Sequence, residues 1–106
     1  MEFHLNNLIN HTKITIYIND NDTVMDIKKL IASSLQKENK ITESNIRLYY
    51  LDPITNDINY MLSPYRTIMS YKGLLNTREI FVEKSGIQID SALAIIIENA
   101  LPVLSF

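Results

Sequence analysis

The chain has 106 residues, a length that suits one domain with an appendage and is too short for two separate hydrophobic cores. Its formal net charge of -2 at pH 7 gives no electrostatic basis for binding nucleic acid. Because the sequence contains no cysteine, it excludes a disulfide framework, a thiolate nucleophile and a cysteine-ligated metal.

The N-terminal segments predict a β-hairpin. Residues 1–8 and 13–18 both alternate apolar and polar side chains, the pattern of strands with one buried and one solvent-facing side. The side chains that this alternation directs toward the core are Phe3, Leu5, Ile14, Ile16 and Ile18. The connecting residues 6–12 contain turn formers but no glycine, so a loop longer than two residues is expected.

An amphipathic helix is predicted over residues 23–36. Thr23 is the candidate N-cap, and Asp26 stands three residues later, where it completes a capping box. Apolar residues then recur at helical spacing. These residues are Val24, Ile27, Leu30, Ile31 and Leu35. The helix is therefore expected to lay one apolar stripe against the sheet.

The remaining sequence predicts three strands and one helical turn. Residues 46–51, 58–62 and 79–84 are rich in aromatic and β-branched side chains, which favour strands. Residues 66–71 predict a capped single helical turn between the last two strands. One helix packed across one mixed sheet buries a single core. The order of elements therefore predicts an α+β fold of the β-grasp type, ββαββ with a short extra helical turn.

Three of these segments resemble ubiquitin-like domains. Residues 23–28 resemble the start of their helix, and residues 46–50 resemble their third strand. Residues 66–71 are similar to a turn in which arginine, threonine and an aliphatic residue are followed by two further residues and a tyrosine. The resemblance implies a ubiquitin-like β-grasp domain at residues 1–85.

The C-terminal segment, residues 86–106, differs from the tail of a conjugated ubiquitin-like modifier. Such a modifier ends in paired glycines, whereas this chain has two glycines that lie far apart, so no covalent conjugation is expected. Residues 87–106 are instead mostly apolar, with Asp90 and Glu98 as their only charges, and no Gly/Ser/Pro linker precedes them. An apolar segment in this position indicates attachment to something else, because exposed aliphatic side chains promote association.

Two short motifs in this segment resemble one family of membrane enzymes. Residues 84–90 are similar to the junction between the ubiquitin-like domain and the first membrane helix of very-long-chain trans-2-enoyl-CoA reductases, which are relatives of the steroid 5α-reductases. Residues 98–102 are similar to a motif within that helix. The matching positions are Gly86, Gln88, Ile89, Glu98 and Pro102. The sequence departs from the family pattern at Ser91, Asn99 and Leu101, where the family has tryptophan, tyrosine and glycine.

This resemblance implies a cytosolic module at the front of an endoplasmic-reticulum membrane enzyme of fatty acid elongation. The parent reaction is then the NADPH-dependent reduction of the trans-2 double bond of an acyl-CoA. Its catalytic and NADPH-binding residues belong to a C-terminal domain outside this sequence, so the segment itself is expected to have no catalytic, cofactor-binding or metal-binding residue. The expected partners are the membrane, through residues 86–106, and other fatty acid elongation enzymes.

Three interpretations of residues 91–106 stay open. Their number, about 16, is below the ~20 residues that a bilayer-spanning helix needs. The favoured interpretation is the truncated start of a first membrane helix; the others are an amphipathic segment that lies on a membrane or folds back on the domain, and a core helix. The functional alternative is a membrane-tethered ubiquitin-like interaction adaptor unrelated to lipid metabolism. A stand-alone enzyme is disfavoured, because the sequence holds neither a glycine-rich phosphate loop nor an acid–base constellation.

Tyr49 and Phe81 form the candidate partner surface. In ubiquitin-like modules the outer sheet face binds partners, and Tyr49 stands where an exposed aliphatic anchor is usual, with Phe81 expected nearby. Tyrosine and phenylalanine are good interface anchors. The alternative is cross-strand packing on a half-exposed sheet. His4 and His11 lack the further ligands or the carboxylate that zinc binding or catalysis needs, so both are expected to be surface histidines.

Overall fold

The elements follow one another in the predicted order, with two short additions. The computed structural model describes residues 1–39 and 41–84. The strands are β1 (Glu2–Asn7), β2 (Thr12–Tyr17), β3 (Ile46–Leu51), β4 (Ile58–Met61) and β5 (Glu79–Lys84). The helices are α1 (Val24–Asn39) and the single turn α2 (Leu74–Thr77), and 3-10 turns occupy Glu43–Asn45 and Ile68–Ser70.

The five strands form one mixed sheet in the order β2-β1-β5-β3-β4. The central strands β1 and β5 run parallel, and every other neighbouring pair is antiparallel. Two neighbouring parallel strands need a crossover connection. Here the chain between β1 and β5 includes β2, α1, β3 and β4. The α+β β-grasp fold predicted from the sequence is therefore confirmed.

The core lies between α1 and one face of this sheet. Its inward side chains alternate along each strand, as the period of a half-buried strand requires. The largest fully buried side chains are Phe3, Ile18, Val24, Leu35, Ile46, Leu48, Met61, Ile68, Leu74, Ile80 and Val82. The strands that supply most of them, β1, β5, β3 and β4, are neighbours, so the core is one continuous cluster.

The predicted capping box starts α1. The Thr23 N–H donates to Asp26 Oδ2 at 2.9 Å, and the Asp26 N–H donates to Thr23 Oγ1 at 3.2 Å. These bonds use main-chain donors that the first turn of a helix leaves without a partner. The hydrogen bonds from Thr23 hold the pKa of the Asp26 carboxyl below its ordinary value. The helix continues to Asn39, three residues beyond the predicted end.

Two residues predicted to face the core are half exposed. Ile14 on β2 is 51% exposed and Leu30 on α1 is 53% exposed. The reason is the position of α1, which packs most closely on β3, in the other half of the sheet. The helix α1 therefore covers less and less of the edge strand β2 toward the hairpin loop. Ile18 just after β2 is fully buried, Ile16 is half-buried and Ile14 faces solvent.

The connection from β4 to β5 contains the predicted helical turn at residues 66–71. The two ends of residues 66–71 contact each other. The Arg66 Nε donates to Ser70 Oγ at 2.9 Å, and the Arg66 guanidinium carbon lies 3.8 Å from the centre of the Tyr71 ring. Tyr71 is buried. Within residues 1–39 and 41–84, no helix combines the length and apolarity that crossing a bilayer requires. Residues 86–106, on which the membrane-helix prediction rests, lie outside the described residues.

Candidate protein-interaction surface

The face of the sheet opposite α1 carries an aromatic patch, which we define as Tyr49, Tyr60 and Phe81. These residues meet because the ladder places Tyr49 of β3 beside both Tyr60 of β4 and Phe81 of β5. The Tyr49 and Phe81 rings stack with their centres 5.1 Å apart and their planes 10° apart. Tyr60 meets Tyr49 edge to face at 5.8 Å. All three side chains are half-buried, so the patch offers apolar surface whose rotamers are already restricted by packing.

An ion pair borders the patch on one side. Arg47 of β3 lies opposite Glu83 of β5, and the Arg47 Nη2 is 2.8 Å from Glu83 Oε1. The Arg47 guanidinium also lies 4.7 Å from the centre of the Tyr60 ring, within the range of a cation–π contact. The arginine is therefore held by a carboxylate and an aromatic ring at once. These two contacts restrict the Arg47 side chain, so any binding that used it would cost less side-chain entropy.

The residues around Tyr49 change the pKa of its hydroxyl. Removal from water raises the pKa of the Tyr49 hydroxyl, and the Glu83 carboxylate and the Tyr60 hydroxyl raise it further. Desolvation and a nearby negative charge both disfavour the tyrosinate form. Tyr49 therefore carries a neutral hydroxyl near pH 7, which can donate and accept a hydrogen bond within the aromatic patch.

Glu83→Gln is expected to lower the pKa of Tyr49 toward the ordinary tyrosine value without reaching it, because desolvation is the larger cause and stays in place. The pKa is measured by following the ring carbon that bears the hydroxyl by NMR as the pH rises. Glu79→Gln, four residues away on the same strand and the same face, is the matched control and should leave the pKa of Tyr49 unchanged. Equal shifts in the two variants would contradict the placement of Glu83 beside Tyr49.

Polar side chains occupy the other half of this face. Glu79 Oε2 accepts a hydrogen bond from Asn6 Nδ2 at 2.7 Å, and Glu79 Oε1 accepts one from Lys13 Nζ at 3.2 Å. Burial alone would raise the pKa of Glu79, but these two hydrogen bonds and the Lys13 charge bring it below its ordinary value. On this side, the aromatic patch is thus bounded by polar groups that hydrogen-bond to one another. An apolar centre with a polar border is the anatomy of a protein–protein interface.

A shallow hollow of about 260 Å³ lies at the end of the patch, between Phe81 and the β3–β4 turn. Leu51 and Pro53 supply its apolar wall. Asp52 also lines it, but the Asp52 Oδ1 accepts hydrogen bonds from the main-chain N–H groups of Thr55 and Ile54, each at 2.9 Å, which lowers the pKa of Asp52. The carboxylate thus holds the turn in shape, and the hollow can receive an apolar side chain of a partner next to the stacked rings.

The structure brings together the two residues that the sequence indicated, Tyr49 and Phe81, and adds Tyr60 and Arg47. The two-residue period of the fourth strand could have placed Tyr60 on the outer face of the sheet. Its position beside Tyr49, however, depends on the register between β3 and β4. His4 and His11 are exposed, and no group of three or more histidine, aspartate or glutamate side chains in the described ranges is arranged to hold a metal ion. The junction residues Gly86, Gln88, Ile89, Glu98 and Pro102 lie outside the described residues.

Comparison with known proteins leaves the fold as the basis for classification. No family model matches this chain, and no curated protein sequence matches it. The strand order, the single long helix across one face and the parallel central pair define a ubiquitin-like β-grasp module. On this fold, the stacked rings of Tyr49 and Phe81 lie on the sheet face opposite α1.

Proposed function

We propose that this ubiquitin-like module is a non-catalytic protein-interaction domain that binds partners through the aromatic patch. The observation that carries the proposal is the stacking of Tyr49 on Phe81 at the centre of the sheet face that α1 leaves open. Aromatic rings and arginine dominate the binding energy of protein interfaces when they sit at the centre of a patch with a polar border. Prior packing of the rings reduces the entropy that binding would otherwise cost.

We further propose that the module belongs to an endoplasmic-reticulum enoyl-CoA reductase of very-long-chain fatty acid elongation. The support is the resemblance of the junction motif, with its matches at Gly86, Gln88, Ile89, Glu98 and Pro102. In that assignment the parent enzyme reduces trans-2-enoyl-CoA with NADPH, and both its catalytic residues and its NADPH site lie outside this sequence. The module stands on the cytosolic face of the membrane and contacts other elongation enzymes.

Chain length supports a position close to the bilayer. The last described strand, β5, ends at Lys84, and the proposed membrane segment starts at about residue 91. The six intervening residues span at most about 20 Å even when fully extended. The sheet is therefore tethered within roughly its own width of the membrane surface. A short tether of this kind raises the effective concentration of the aromatic patch near other membrane-bound enzymes.

Photo-crosslinking tests both levels of the proposal. A photoreactive amino acid replaces Ile58, which is 51% exposed beside the aromatic patch, and the matched control replaces Tyr65, which is 75% exposed on the loop after β4. The full chain is expressed in the cells that make it, and crosslinked proteins are identified by mass spectrometry. Position 58 is expected to crosslink other fatty acid elongation enzymes, and position 65 is not.

The outcomes separate the two functional candidates. Crosslinks from position 58 to proteins outside lipid metabolism would favour the alternative, a membrane-tethered interaction adaptor, and would overturn the reductase assignment. The departures at Ser91, Asn99 and Leu101 are the specific reason to keep this alternative. Identical crosslinks from positions 58 and 65, or none from either, would contradict the interaction function of the patch itself.

A further inference from the structure

β2 is an edge strand of the sheet, and the hydrogen bonds between β1 and β2 show which of its main-chain groups point outward. Met1 and Ile18 exchange two main-chain hydrogen bonds, at 2.9 and 3.2 Å, so they form a hydrogen-bonded pair of the β1–β2 ladder. Such pairs alternate along antiparallel strands, so every second residue of β2 faces β1. The N–H and C=O groups of Lys13, Thr15 and Tyr17 therefore point away from the sheet. Among residues 1–39 and 41–84, no strand pairs with them.

An apolar groove of about 370 Å³ lies beside this edge, between β2 and α1. Its apolar lining consists of Leu5, Ile14, Ile16, Leu30 and Ile31. The other described residues that line it are uncharged asparagine, threonine and serine, so the groove favours an uncharged apolar occupant. A strand added to the open edge would place alternate side chains in the groove while its main chain bonds to β2.

β2 itself has the pattern that this groove requires. When two copies of β2 pair antiparallel about Thr15, Thr15 lies opposite its counterpart, and Lys13 lies opposite Tyr17 of the second copy. Every outward main-chain group of the strand then has a partner. On the groove side, Ile14 lies opposite Ile16 of the second copy. No like charges oppose each other, and pairs of threonines and of β-branched residues are favourable across strands.

The register about Thr15 is preferred over its neighbour. If the two-fold axis moved to Ile14, Tyr17 would lie opposite His11 of the second copy. His11 lies outside the strand in a left-handed conformation, with φ 58, and cannot continue a ladder. Neither a proline nor a bulge protects this edge against pairing, because β2 contains no proline and its ladder with β1 runs from residue 12 to residue 17 without a bulge. Lys13, the one charged side chain of β2, already forms an ion pair with Glu79.

We propose that this chain forms a two-fold homodimer in which the open edge of β2 pairs with the same edge of a second copy about Thr15, making one continuous sheet. Both copies of α1 then lie on the same side of that sheet. They leave room for the contact because α1 packs most closely on β3, away from the β2 edge. The contact covers Ile14, which is otherwise exposed to water, and is separate from the aromatic patch.

Analytical ultracentrifugation of the full chain in mild detergent tests the dimer, since the detergent occupies apolar segments that would associate without any specific geometry. Thr15→Pro removes an outward N–H at an edge position, where proline is compatible with a strand. Thr15→Val is the matched control, because it loses the same 3.2 Å contact between Thr15 Oγ1 and His4 Nδ1 but keeps the N–H. The dimer is expected in the wild type and in Thr15→Val, with at least tenfold weaker association in Thr15→Pro. A monomeric wild type, or equal association of all three, would overturn the proposal.

Crosslinking tests the register and does not depend on whether Thr15→Pro folds. Since the natural chain has no cysteine, Lys13→Cys and Tyr17→Cys each introduce a single thiol. A short bismaleimide is expected to join the two variants when they are mixed, and to join neither variant to itself efficiently, because like positions lie four residues apart along the paired strands. A mixture that crosslinks no better than the separate variants would overturn the pairing about Thr15.

Discussion

Leu48→Ala is expected to lower the free energy of unfolding by about 2–5 kcal/mol, the range for truncating a fully buried leucine. Leu48 is 0% exposed and lies on β3, where its register neighbours are Val82 of β5 and Met61 of β4. Both neighbours are themselves fully buried, so the cavity cannot fill by small movements. A domain of this size has a total stability of roughly 5–10 kcal/mol. Urea denaturation followed by circular dichroism measures the change.

Leu8→Ala is the matched control for that measurement. Leu8 is 46% exposed in the loop between β1 and β2, and the main-chain bond from its N–H to the Val82 carbonyl, at 2.9 Å, does not need the side chain. A surface substitution of this kind changes stability by about 0.5 kcal/mol or less. Equal losses in the two variants would show that Leu48 does not lie in the core.

The sequence could predict those parts of the fold that local chemistry specifies. Alternation places Phe3 and Leu5 on the inner face of β1 whatever the strand's neighbours are. The Thr23 and Asp26 pair starts α1 by means of hydrogen bonds within four residues of chain. Such signals survive because they depend on the spacing of a few adjacent residues. The order of these elements was then sufficient to predict the β-grasp arrangement.

The exposure of Ile14 and Leu30 could not be predicted in the same way. Both residues fit the apolar spacing of their own strand or helix. That spacing predicts only that they share a face with buried neighbours. Whether that face is covered depends on where α1 lies across the sheet, and α1 lies toward β3. The short turn α2 was missed because four residues contain too little of a helical period to distinguish them from a loop.

The candidate site shows the same division between local and non-local information. The sequence indicates Tyr49 and Phe81 as a candidate partner surface through its resemblance to ubiquitin-like modules, in which an exposed aliphatic anchor is usual at the position of Tyr49. Their stacking, and the arrival of Tyr60 and Arg47, depend on the register of three strands. A slip of one residue would turn each of these side chains to the other face of the sheet. Register comes from the packing of the whole core, which single segments do not encode.

Tyr49→Ala is expected to weaken binding to a partner crosslinked from position 58 by about 30-fold, which corresponds to about 2 kcal/mol, the level of an interface hot spot. Tyr49 is the central ring, in contact with both Phe81 and Tyr60. Its removal opens the middle of the patch and lets water in, so the surrounding contacts lose strength as well. Isothermal titration calorimetry with the purified partner measures the dissociation constant, and circular dichroism confirms that the variant remains folded.

Two further variants decide what the ring contributes. Tyr65→Ala removes the same atoms from a side chain that is 75% exposed and outside the patch, and it should change the affinity less than about twofold. Tyr49→Phe keeps the stacked ring and loses only the hydroxyl, so it should retain most of the affinity if ring packing is the dominant contribution. Should Tyr49→Ala bind as tightly as the wild type, the stacked rings serve only to pack neighbouring strands, and the partner contact at position 58 must use the charged border in place of the patch.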